Sequence, residues 1–318
     1  MPELTTETDL RLASSLTEEQ RLLCNRVSEA VSFDVGRVSI LIPSYLRADD
    51  LRTTLRRSIV QSYSNKEIVV VDDGTPGSTI KDAVSEFPGA IYLRTPKNLG
   101  LIGARNYGAA HCTGEFILNL DDDSWLEDDN GLELIVQFMR QYPRTGVGAL
   151  NIGLPDIGYL WPPNSGSALL PTYKGCGNVY RREAITAAGE YISEFYRQGE
   201  EVERSLRIMD AGFEIRSVPG VKVFHAQSIV NRNLPRHLAF EAANCMRKEL
   251  IRTPLWLLPF GCLRALRFAV RHLREMDRKL YVSELFGIRV PLLSFVRRYR
   301  APVSTSTYLT ALKLGRQG

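Results

Sequence analysis

The sequence lacks long hydrophobic runs and closely spaced cysteines. No stretch reaches about 18 uninterrupted apolar residues, so a membrane-spanning helix is not expected. The five cysteines are odd in number and widely spaced, without a C-x-x-C pair, which fits buried thiols in a reducing compartment rather than a disulfide framework. The first residues show no basic segment followed by an apolar run, so no secretory signal is evident. These absences predict a cytoplasmic protein.

Two common phosphate-binding signatures are also absent. A Walker loop needs a GK[ST] ending, which the glycine-containing segment 97–108 does not have. No G-x-G-x-x-G follows the first predicted strand, Val38–Ile42. The sequence therefore supports neither P-loop chemistry nor a dinucleotide-dependent oxidoreductase.

The composition is that of an ordinary globular protein, but the charge is unevenly distributed. The chain has 318 residues, of which 44% are apolar and 24% are charged. Residues 226–318 carry 17 Lys and Arg against 5 Asp and Glu, whereas residues 1–225 carry 23 against 31. We predict an amino-terminal helical extension over residues 1–36, an α/β domain over 37–228 and a basic helical region over 229–318.

Short apolar runs alternate with amphipathic helical segments between residues 38 and 120. This alternation predicts an α/β fold with a mainly parallel central sheet and helices on both faces. The predicted strands are Val38–Ile42, Glu67–Val71, Ala90–Leu93 and Glu115–Leu120, and the predicted helices are Asp50–Gln61, Ser78–Phe87 and Leu101–Cys112. A further helix is predicted before the sheet, from about Thr17 to Phe33. Ligands of such sheets bind outside the carboxyl ends of the strands.

Three successive carboxylates follow the fourth predicted strand. The segment Phe116–Trp125 is expected to form a strand buried on both faces that delivers Asp121, Asp122 and Asp123 to its carboxyl end. Because side chains alternate along an extended chain, Asp121 and Asp123 should point one way and Asp122 the other. Carboxylates at this density repel unless they are protonated, solvated or bridged, and their hard oxygens suit Mg2+ or Mn2+ better than zinc. The alternative is a solvated acidic turn that caps the next helix.

Other loops at the same edge of the sheet also carry polar side chains. The first strand leads into Pro43, Ser44, Tyr45, Leu46 and Arg47, and the second leads into Asp72, Asp73, Gly74 and Thr75. Between the third and fourth strands, Arg105 on the first turn of a helix would offer a planar charged fork to a phosphate or an acidic loop. Either Asp72 or Asp73 could simply cap a turn. Like charges that converge without a cation or donor-rich ligand would, however, destabilise the fold.

In order and spacing these segments resemble glycosyltransferase family 2. The matching residues are Ile42-Pro43-Ser44-Tyr45-x-Arg47, Val71-Asp72-Asp73-Gly74-Thr75, Asn98-x-Gly100-x-x-x-Ala104-Arg105-Asn106-x-Gly108 and Leu120-Asp121-Asp122-Asp123. The resemblance covers residues 38–225. It implies a GT-A (nucleotide-diphospho-sugar transferase) fold, a nucleotide-diphosphate sugar donor, a divalent cation held by the D-x-D motif, and inverting transfer.

The resemblance also implies which residues bind the donor. The residues expected to line the nucleotide base and ribose are Pro43, Tyr45, Arg47, Asp72 and Asp73. Arg105 is expected to help hold the donor, and Asp121 and Asp123 are expected at the ribose and the metal. Asp122 is counted with the donor-binding residues.

A second acidic motif, Gly199–Ile208, begins a predicted helix. Carboxylates are favoured at a helix N-terminus, so an acidic first turn without chemistry is the alternative. The segment resembles the family's E-D-x-D-L-x-x-R-L pattern, which places Glu201 at the position of the base that deprotonates the acceptor and Glu203 at the second acidic position. The motif departs from the pattern, since Glu stands where Asp is usual and Arg204 where Leu is usual. Glu200 therefore stays open as an alternative base.

Two strand-like segments, Glu214–Val218 and Val221–Phe224, are predicted before His225. A single histidine after an apolar strand is usually structural. The resemblance instead implies that His225 completes the metal ligands together with Asp121 and Asp123. Because an imidazole is softer than Mg2+ prefers, this favours Mn2+.

The basic region contains an apolar run and an arginine-rich helical pattern. The run Pro254–Phe260 includes Trp256 and is too short to span a bilayer. Arginines and apolar residues then lie largely on opposite helical faces; the arginines are Arg264, Arg267, Arg271, Arg274 and Arg278. This pattern predicts peripheral contact of residues 254–279 with an anionic membrane surface, such as the inner face of the cell membrane. An equally supported alternative is a helix packed on the catalytic domain with its arginines in water.

Three functions are compared on these features. The leading prediction is a metal-dependent inverting glycosyltransferase of hexosyltransferase type (EC 2.4). A sugar-phosphate nucleotidyltransferase is disfavoured because its glycine-rich activation loop after the first strand is absent, and a non-catalytic sugar-binding or membrane-binding subunit needs neither a cation site nor a base. Nucleic acid is not a predicted partner, since only the basic region would support it. The family uses UDP, dTDP and GDP sugars, and the motifs do not distinguish a glycan, lipid-linked or small-molecule acceptor.

Overall fold

Four parallel strands form one half of the central sheet. A computed structural model describes residues 33–155, 158–161, 166–226, 233–287 and 290–316. The first strands are β1 (Asp34–Ser44), β2 (Lys66–Asp72), β3 (Ala90–Arg94) and β4 (Gly114–Asn119), and the helices between them are α1 (Ala48–Ile59), α2 (Thr79–Ser85) and α3 (Gly100–His111). The strands pair in the order β3-β2-β1-β4, and each pair is parallel, which confirms the predicted alternation. Apart from Phe33, the helix predicted at about 17–33 lies outside the described residues.

The other half of the sheet is mixed. Its strands are β5 (Ser124–Leu126), β6 (Thr145–Leu154), β7 (Gly158–Trp161), β8 (Asn178–Arg181) and β9 (Glu214–His225), with helices α4 (Gly131–Gln141), α5 (Arg182–Ala188) and α6 (Glu200–Asp210). The strand β8 is antiparallel to β4 and β6, β9 is parallel to β6, and β5 is antiparallel to β9. The β5–β9 pairing sets Ser124 opposite His225, so the acidic residues after β4 lie against the end of β9.

The strand β9 is continuous where the sequence predicted two strands. Its register with β6 shifts between Ala149 and Asn151, whose partners are Ser217 and Lys222. The shift accommodates Gly220, whose φ is +78°, without ending the strand. A bulge of this kind is set by pairing with a distant strand, so the local pattern did not predict it.

Both faces of β1, β2 and β4 are buried, as the near-continuous apolar runs predicted, whereas β3 at the edge of the sheet is partly exposed. In β4, Phe116 and Leu118 enter one apolar cluster and Ile117 enters the other, and all three side chains are fully buried. Helices α1, α2 and α4 cover the first cluster, whereas α3 and α5 cover the second. Full burial of a side chain of this size contributes about 1.5–3 kcal/mol, so the strands are rigid supports for the loops at their ends.

Helices make up most of the described chain after β9. They are α7 (Leu234–Arg252), α8 (Leu258–Arg271), α9 (Arg278–Phe286), α10 (Leu292–Tyr299) and α11 (Thr305–Leu314), with a short 3-10 turn at Leu255–Leu257. Helix α7 packs against α6, α8, α9 and α10. In the described part of the chain, no helix is both long and apolar enough to cross a membrane. The division at residue 228 stays a prediction.

Candidate active site

The three aspartates of the first acidic motif lie on a tight turn between β4 and β5. The Asp121 N–H donates to the Ser124 hydroxyl (2.8 Å), and the Ser124 N–H donates to the Asp121 carbonyl (3.1 Å), which closes the turn. The His225 ring lies against this turn, with Nε2 3.1 Å from Asp123 Oδ1 and 3.8 Å from Asp121 Oδ2. The three residues expected to hold a cation therefore lie together.

Asp122 faces the protein interior instead. Its carboxylate, 1% exposed, accepts a hydrogen bond from the Ser44 hydroxyl (2.9 Å) and pairs with Arg47 (2.6 Å). Its carbonyl accepts from the Thr54 hydroxyl (2.8 Å). Burial raises the pKa of Asp122 to about 7, although Arg47 opposes the shift. Asp121 and Asp123 share His225 as predicted, but Arg47 pairs with both Asp122 and Asp123, and these residues lie on a turn rather than on an extended strand, so strand alternation does not set their directions.

Two arginines neutralise the acidic turn. Arg47, just before α1, approaches Asp123 Oδ2 to 3.0 Å while it also pairs with Asp122. Arg105 on α3 is buried and donates from Nη2 to Asp121 Oδ1 (2.8 Å). Burial alone would lower the pKa of Arg105, but attraction by Asp121 and other nearby groups outweighs it and raises the pKa above its ordinary value. The guanidinium therefore stays charged beside the turn.

The loop before α6 is fixed by Asn244 of α7. The Asn244 amide nitrogen, which has two N–H donors, lies within hydrogen-bond distance of three backbone carbonyls, those of Phe195 (2.8 Å), Arg197 (2.9 Å) and Gln198 (2.8 Å). Gly199 then adopts a φ of +84°, which L side chains rarely allow, and the helix begins at the next residue. This loop places Glu200 and Glu201 in the first turn of α6.

Both of these glutamates lie in an environment that disfavours their charge. Burial raises the pKa of each, repulsion from Glu201 adds to the shift of Glu200, and Arg105 opposes both shifts. Glu200 is only 4% exposed, whereas Glu201 is partly exposed. A methyl group on Gly175 would lie 2.6 Å from both Glu201 Oε1 and Arg105 Nη1. Arg105 thus joins the glutamates to the acidic turn.

Asp72, at the end of β2, is fixed by hydrogen bonds to nearby residues of the protein. Its carboxylate accepts three hydrogen bonds, from the Thr75 N–H (2.8 Å), the Tyr92 hydroxyl (2.7 Å) and Arg94 Nη1 (2.9 Å). The side chain is fully buried. These contacts fix the loop after β2, and a part for Asp72 in donor binding stays a prediction.

The remaining residues predicted to bind the donor lie at the same edge of the sheet. Asp73 accepts from the Leu99 N–H (2.8 Å) and the Thr95 hydroxyl (3.1 Å), and burial raises its pKa to about 6. Pro43 is buried near the end of β1, and Tyr45 beyond it is half-buried. The predicted residues thus line the carboxyl ends of β1, β2 and β4, whereas their roles stay predictions.

Side chains suited to a divalent cation meet beside the acidic turn. A carboxylate oxygen of Asp121, a ring nitrogen of His225 and Sγ of Cys176 all lie within 4.8 Å of one another. Two ligands on opposite sides of an ion with bonds of about 2.0–2.3 Å are roughly 4.0–4.6 Å apart, so small side-chain adjustments are enough. Asp123 adds a carboxylate next to His225. This set of oxygen, nitrogen and sulfur atoms fits a divalent cation.

Sequence reasoning gave no role to four residues that shape this site: Ser44, Thr54, Gly175 and Cys176. Ser44 is the last residue of the largely apolar strand β1, and a hydroxyl in that position is only a weak signal for a site at the edge of the sheet. The Gly-Cys-Gly triplet at 175–177 indicates close backbone approach but not what it approaches. Burial, followed by the charge of Asp121, raises the pKa of the Cys176 thiol. Nothing local distinguishes Thr54 from other helix residues.

A comparison with protein families gives a match for about the first half of the described chain. Residues 39–192 match the family model described as glycosyl transferase family 2. One similar protein is the glycosyltransferase GlyA of Streptococcus pneumoniae, 35% identical over 95 residues, which cover 29% of this chain and 14% of that protein. The chain spans 14%, 35% and 42% of the length of three curated relatives that it matches.

Solved structures of glycosyltransferases share the fold. GalNAc-T7, crystallised with UDP, GalNAc and Mn2+, has a TM-score of 0.58 at 16% identity, and the match covers 87% of this chain and 60% of that one. Residues 1–349 of S. aureus TarS in complex with UDP-GlcNAc have a TM-score of 0.57 at 14% identity, with 89% and 92% coverage. At these identities the likeness concerns the fold alone, which confirms the predicted GT-A fold.

Proposed function

We propose that this protein is an inverting hexosyltransferase (EC 2.4). The premise is that residues 39–192 belong to glycosyl transferase family 2 and that the chain has the GT-A fold. It transfers a sugar from a nucleotide-diphosphate donor to an acceptor hydroxyl and depends on a divalent cation. The observation that carries the proposal is the convergence of the acidic turn, His225 and Glu201 around Arg105.

Asp121, Asp123 and His225 would hold the cation. When bound, a divalent cation neutralises the diphosphate that leaves the sugar. Arg105 keeps its charge beside Asp121 and stabilises the same negative charge from the protein side. The Mn2+ in the GalNAc-T7 structure supports a metal of this kind, and the imidazole ligand favours Mn2+ over Mg2+ here.

Glu201 is the proposed general base. The acceptor oxygen attacks the anomeric carbon as the bond from that carbon to the diphosphate oxygen breaks, and the hydroxyl proton passes to the Glu201 carboxylate. A single displacement of this kind inverts the anomeric configuration. Glu201 is preferred to Glu200 because a base must reach the acceptor, and Glu201 is the more exposed of the two.

The loops after β1 and β2 are the proposed site for the nucleotide. Pro43, Tyr45, Arg47 and Asp73 lie at the edge of the sheet where such ligands bind. The UDP and UDP-GlcNAc complexes of structural neighbours support a uridine nucleotide, and dTDP or GDP sugars are the alternatives. Asp72 contributes through the loop that it orders.

The test is cation-dependent release of nucleoside diphosphate from a panel of UDP, dTDP and GDP sugars, with water or simple glycosides as acceptors. Asp123→Ala should abolish release. Glu201→Gln should keep donor binding, measured by thermal shift, and lose transfer. Glu183→Gln, an exposed change on α5, is the matched control. Pyrophosphate release from a nucleoside triphosphate and a sugar phosphate would identify a nucleotidyltransferase instead, and a chain that binds donor without turnover would be a binding subunit.

We further propose that α8 and the turn before it rest on an anionic membrane surface on the cytoplasmic side. The buried residues of α8 are the small residues Gly261, Ala265 and Ala269, and Phe268 packs partly buried against α7. Most other large apolar residues of this segment are exposed; they are Leu255, Trp256, Phe260, Leu263, Leu266, Val270 and Leu273. Arg267, Arg271 and Arg274 are exposed on the same segment. Outward apolar side chains beside arginines are typical of interfacial helices, and co-flotation with anionic vesicles tests this contact.

A further inference from the structure

Cys176 is held over the acidic turn by the backbone around it. The Gly177 N–H donates to the Asn119 carbonyl at the end of β4 (3.0 Å), and Gly177 has a φ of +65°. The Cys176 side chain is 6% exposed. This short turn between two glycines therefore fixes the thiol beside Asp121 rather than leaving it in solvent.

We propose that Cys176 is an additional ligand of the cation site and that it shifts the selectivity of the site away from Mg2+ towards thiophilic ions such as Co2+, Zn2+ and Cd2+. The inference rests on the proposed cation site. Its carrying observation is that Sγ of Cys176 lies within 4.8 Å of both the Asp121 oxygen and the His225 nitrogen. A sulfur ligand binds these softer ions strongly and Mg2+ poorly, whereas carboxylates alone favour hard ions.

Formation of the metal–sulfur bond replaces the S–H bond. The thiol proton leaves to solvent, and no electron is transferred, so no oxidant or reductant is required. Asp121 and His225 already lie on the same side of the turn as the thiol. Arg105 pairs with Asp121, so its positive charge would repel an ion that binds there.

Other described cysteines lie elsewhere and provide controls. Cys112 is buried and follows α3, whereas Cys245 and Cys262 lie on α7 and α8. Among the described residues, Asp121, Cys176 and His225 are the group of His, Cys, Asp or Glu side chains close enough to share an ion. A thiolate signal from a bound metal can therefore be assigned by substituting one cysteine at a time.

The experiment is a Co2+ titration of the full chain, followed by near-ultraviolet absorbance and by calorimetry. The wild type should develop a sulfur-to-cobalt charge-transfer band that saturates at one equivalent. Cys176→Ser and Cys176→Ala should bind Co2+ without that band, and Cys112→Ser should keep it. Mg2+ should displace Co2+ from either Cys176 variant at a concentration at least about tenfold lower than from the wild type.

The outcomes separate this inference from the proposed function. One equivalent of bound Co2+ without the band in the wild type, or a band that persists in both Cys176 variants, would overturn the role of Cys176 and leave the cation site standing. If the wild type binds no Co2+, Mn2+ or Cd2+, both the inference and the metal-dependent function fail. Circular dichroism of each variant checks that the fold is retained, and Asp121→Asn should lose both the band and most of the affinity.

Discussion

At the scale of single residues, Glu200 is a buried carboxylate whose charge is opposed by its surroundings. Burial and the neighbouring Glu201 raise its pKa in the folded protein above the ordinary value of about 4.3. The folded chain thus holds a proton that the unfolded chain has lost, and the free energy of unfolding falls as pH rises between the two pKa values. We predict that Glu200→Gln, which is never charged, is more stable than the wild type at pH 8 by roughly 1–3 kcal/mol.

The measurement is a pair of thermal melts, at pH 5 and at pH 8, for the wild type, Glu200→Gln and the exposed control Glu183→Gln. The difference between Glu200→Gln and the wild type should grow with pH, while the control follows the wild type. An equal difference at both pH values would show that the charge of Glu200 is not disfavoured. Glu200→Gln should also retain transfer if Glu201 is the base.

Gly175 permits the close approach of Arg105 and Glu201. A methyl group there would lie 2.6 Å from the ends of both side chains, and since both ends are flexible, the fold should tolerate the change while the two groups move. We predict that Gly175→Ala keeps its melting temperature within a few degrees and loses roughly 10-fold to 100-fold in kcat, because small displacements of catalytic groups are costly. Steady-state kinetics and thermal melts measure the two effects.

Gly166→Ala is the matched control for this change. No atom of the described residues lies within 4 Å of a methyl group at that position, and the φ of Gly166 is not in the left-handed region. Normal activity in Gly175→Ala, or an equal loss in both variants, would contradict the proposed geometry.

The main residues of the candidate site were predictable from the sequence, but several of the side chains that contact them were not. Asp121, Asp123 and His225 were expected together, and the structure places His225 within 3.1 Å of Asp123 and 3.8 Å of Asp121. The approach of Cys176 depends on pairing between β4 and β8, which are about 60 residues apart in sequence. A contact at that separation leaves no local trace, so the cysteine received no role.

At the scale of elements, Glu203 connects α6 to α7. The sequence resemblance gave it the second acidic position of the motif, and the structure shows a fully buried carboxylate between Arg207 (2.7 Å) and Arg252 (2.6 Å). Burial would raise the pKa of Glu203, but the two arginines lower it below its ordinary value. The ion pairs of Glu203 therefore stabilise the fold at pH values above the ordinary glutamate pKa. This contribution is lost as the pH falls below that pKa and Glu203 becomes protonated.

Removing Glu203 should be strongly destabilising. Glu203→Ala leaves two arginines without their shared partner, and the loss of one partner of a buried ion pair costs about 3–5 kcal/mol. Urea unfolding at pH 7 measures this loss, with exposed Glu183→Ala expected within about 0.5 kcal/mol of the wild type. If Glu203→Ala unfolds at the wild-type urea concentration, the link between α6 and α7 contributes little.

The elements themselves were largely predictable because apolar periodicity is local. The helix expected at Leu101–Cys112 is observed as Gly100–His111, and the one expected at Asp50–Gln61 as Ala48–Ile59. The mixed half of the sheet was not predictable. Its pairing order, in which β8 enters between β4 and β6, is decided by tertiary packing and not by the pattern of any single strand.

At the scale of the whole molecule, the basic region both holds the loop before α6 and exposes an apolar surface. Helix α7 holds the loop before α6 through Asn244, whereas α8 directs its large apolar residues away from the protein. Trp256 is 67% exposed and Val270 is 61% exposed. The sequence left two arrangements open for these residues. The exposure of most large apolar side chains of α8 supports the proposed membrane surface, because packing on the catalytic domain would have covered them.

We predict that the full chain floats with vesicles containing anionic lipid at low salt and that binding falls as salt rises from about 0.05 to 0.5 M. Leu266→Gln combined with Val270→Gln should weaken vesicle binding roughly 30-fold, because each change removes apolar area worth on the order of 1 kcal/mol and about 1.4 kcal/mol corresponds to a tenfold change. Ile91→Gln, an exposed apolar position on β3, is the matched control and should bind like the wild type. Donor hydrolysis in solution should be unchanged in the double variant, since neither residue lies in the active site. Absence of flotation at low salt would exclude the membrane contact, and equal loss in the control variant would show that the outward face of α8 is not the binding surface.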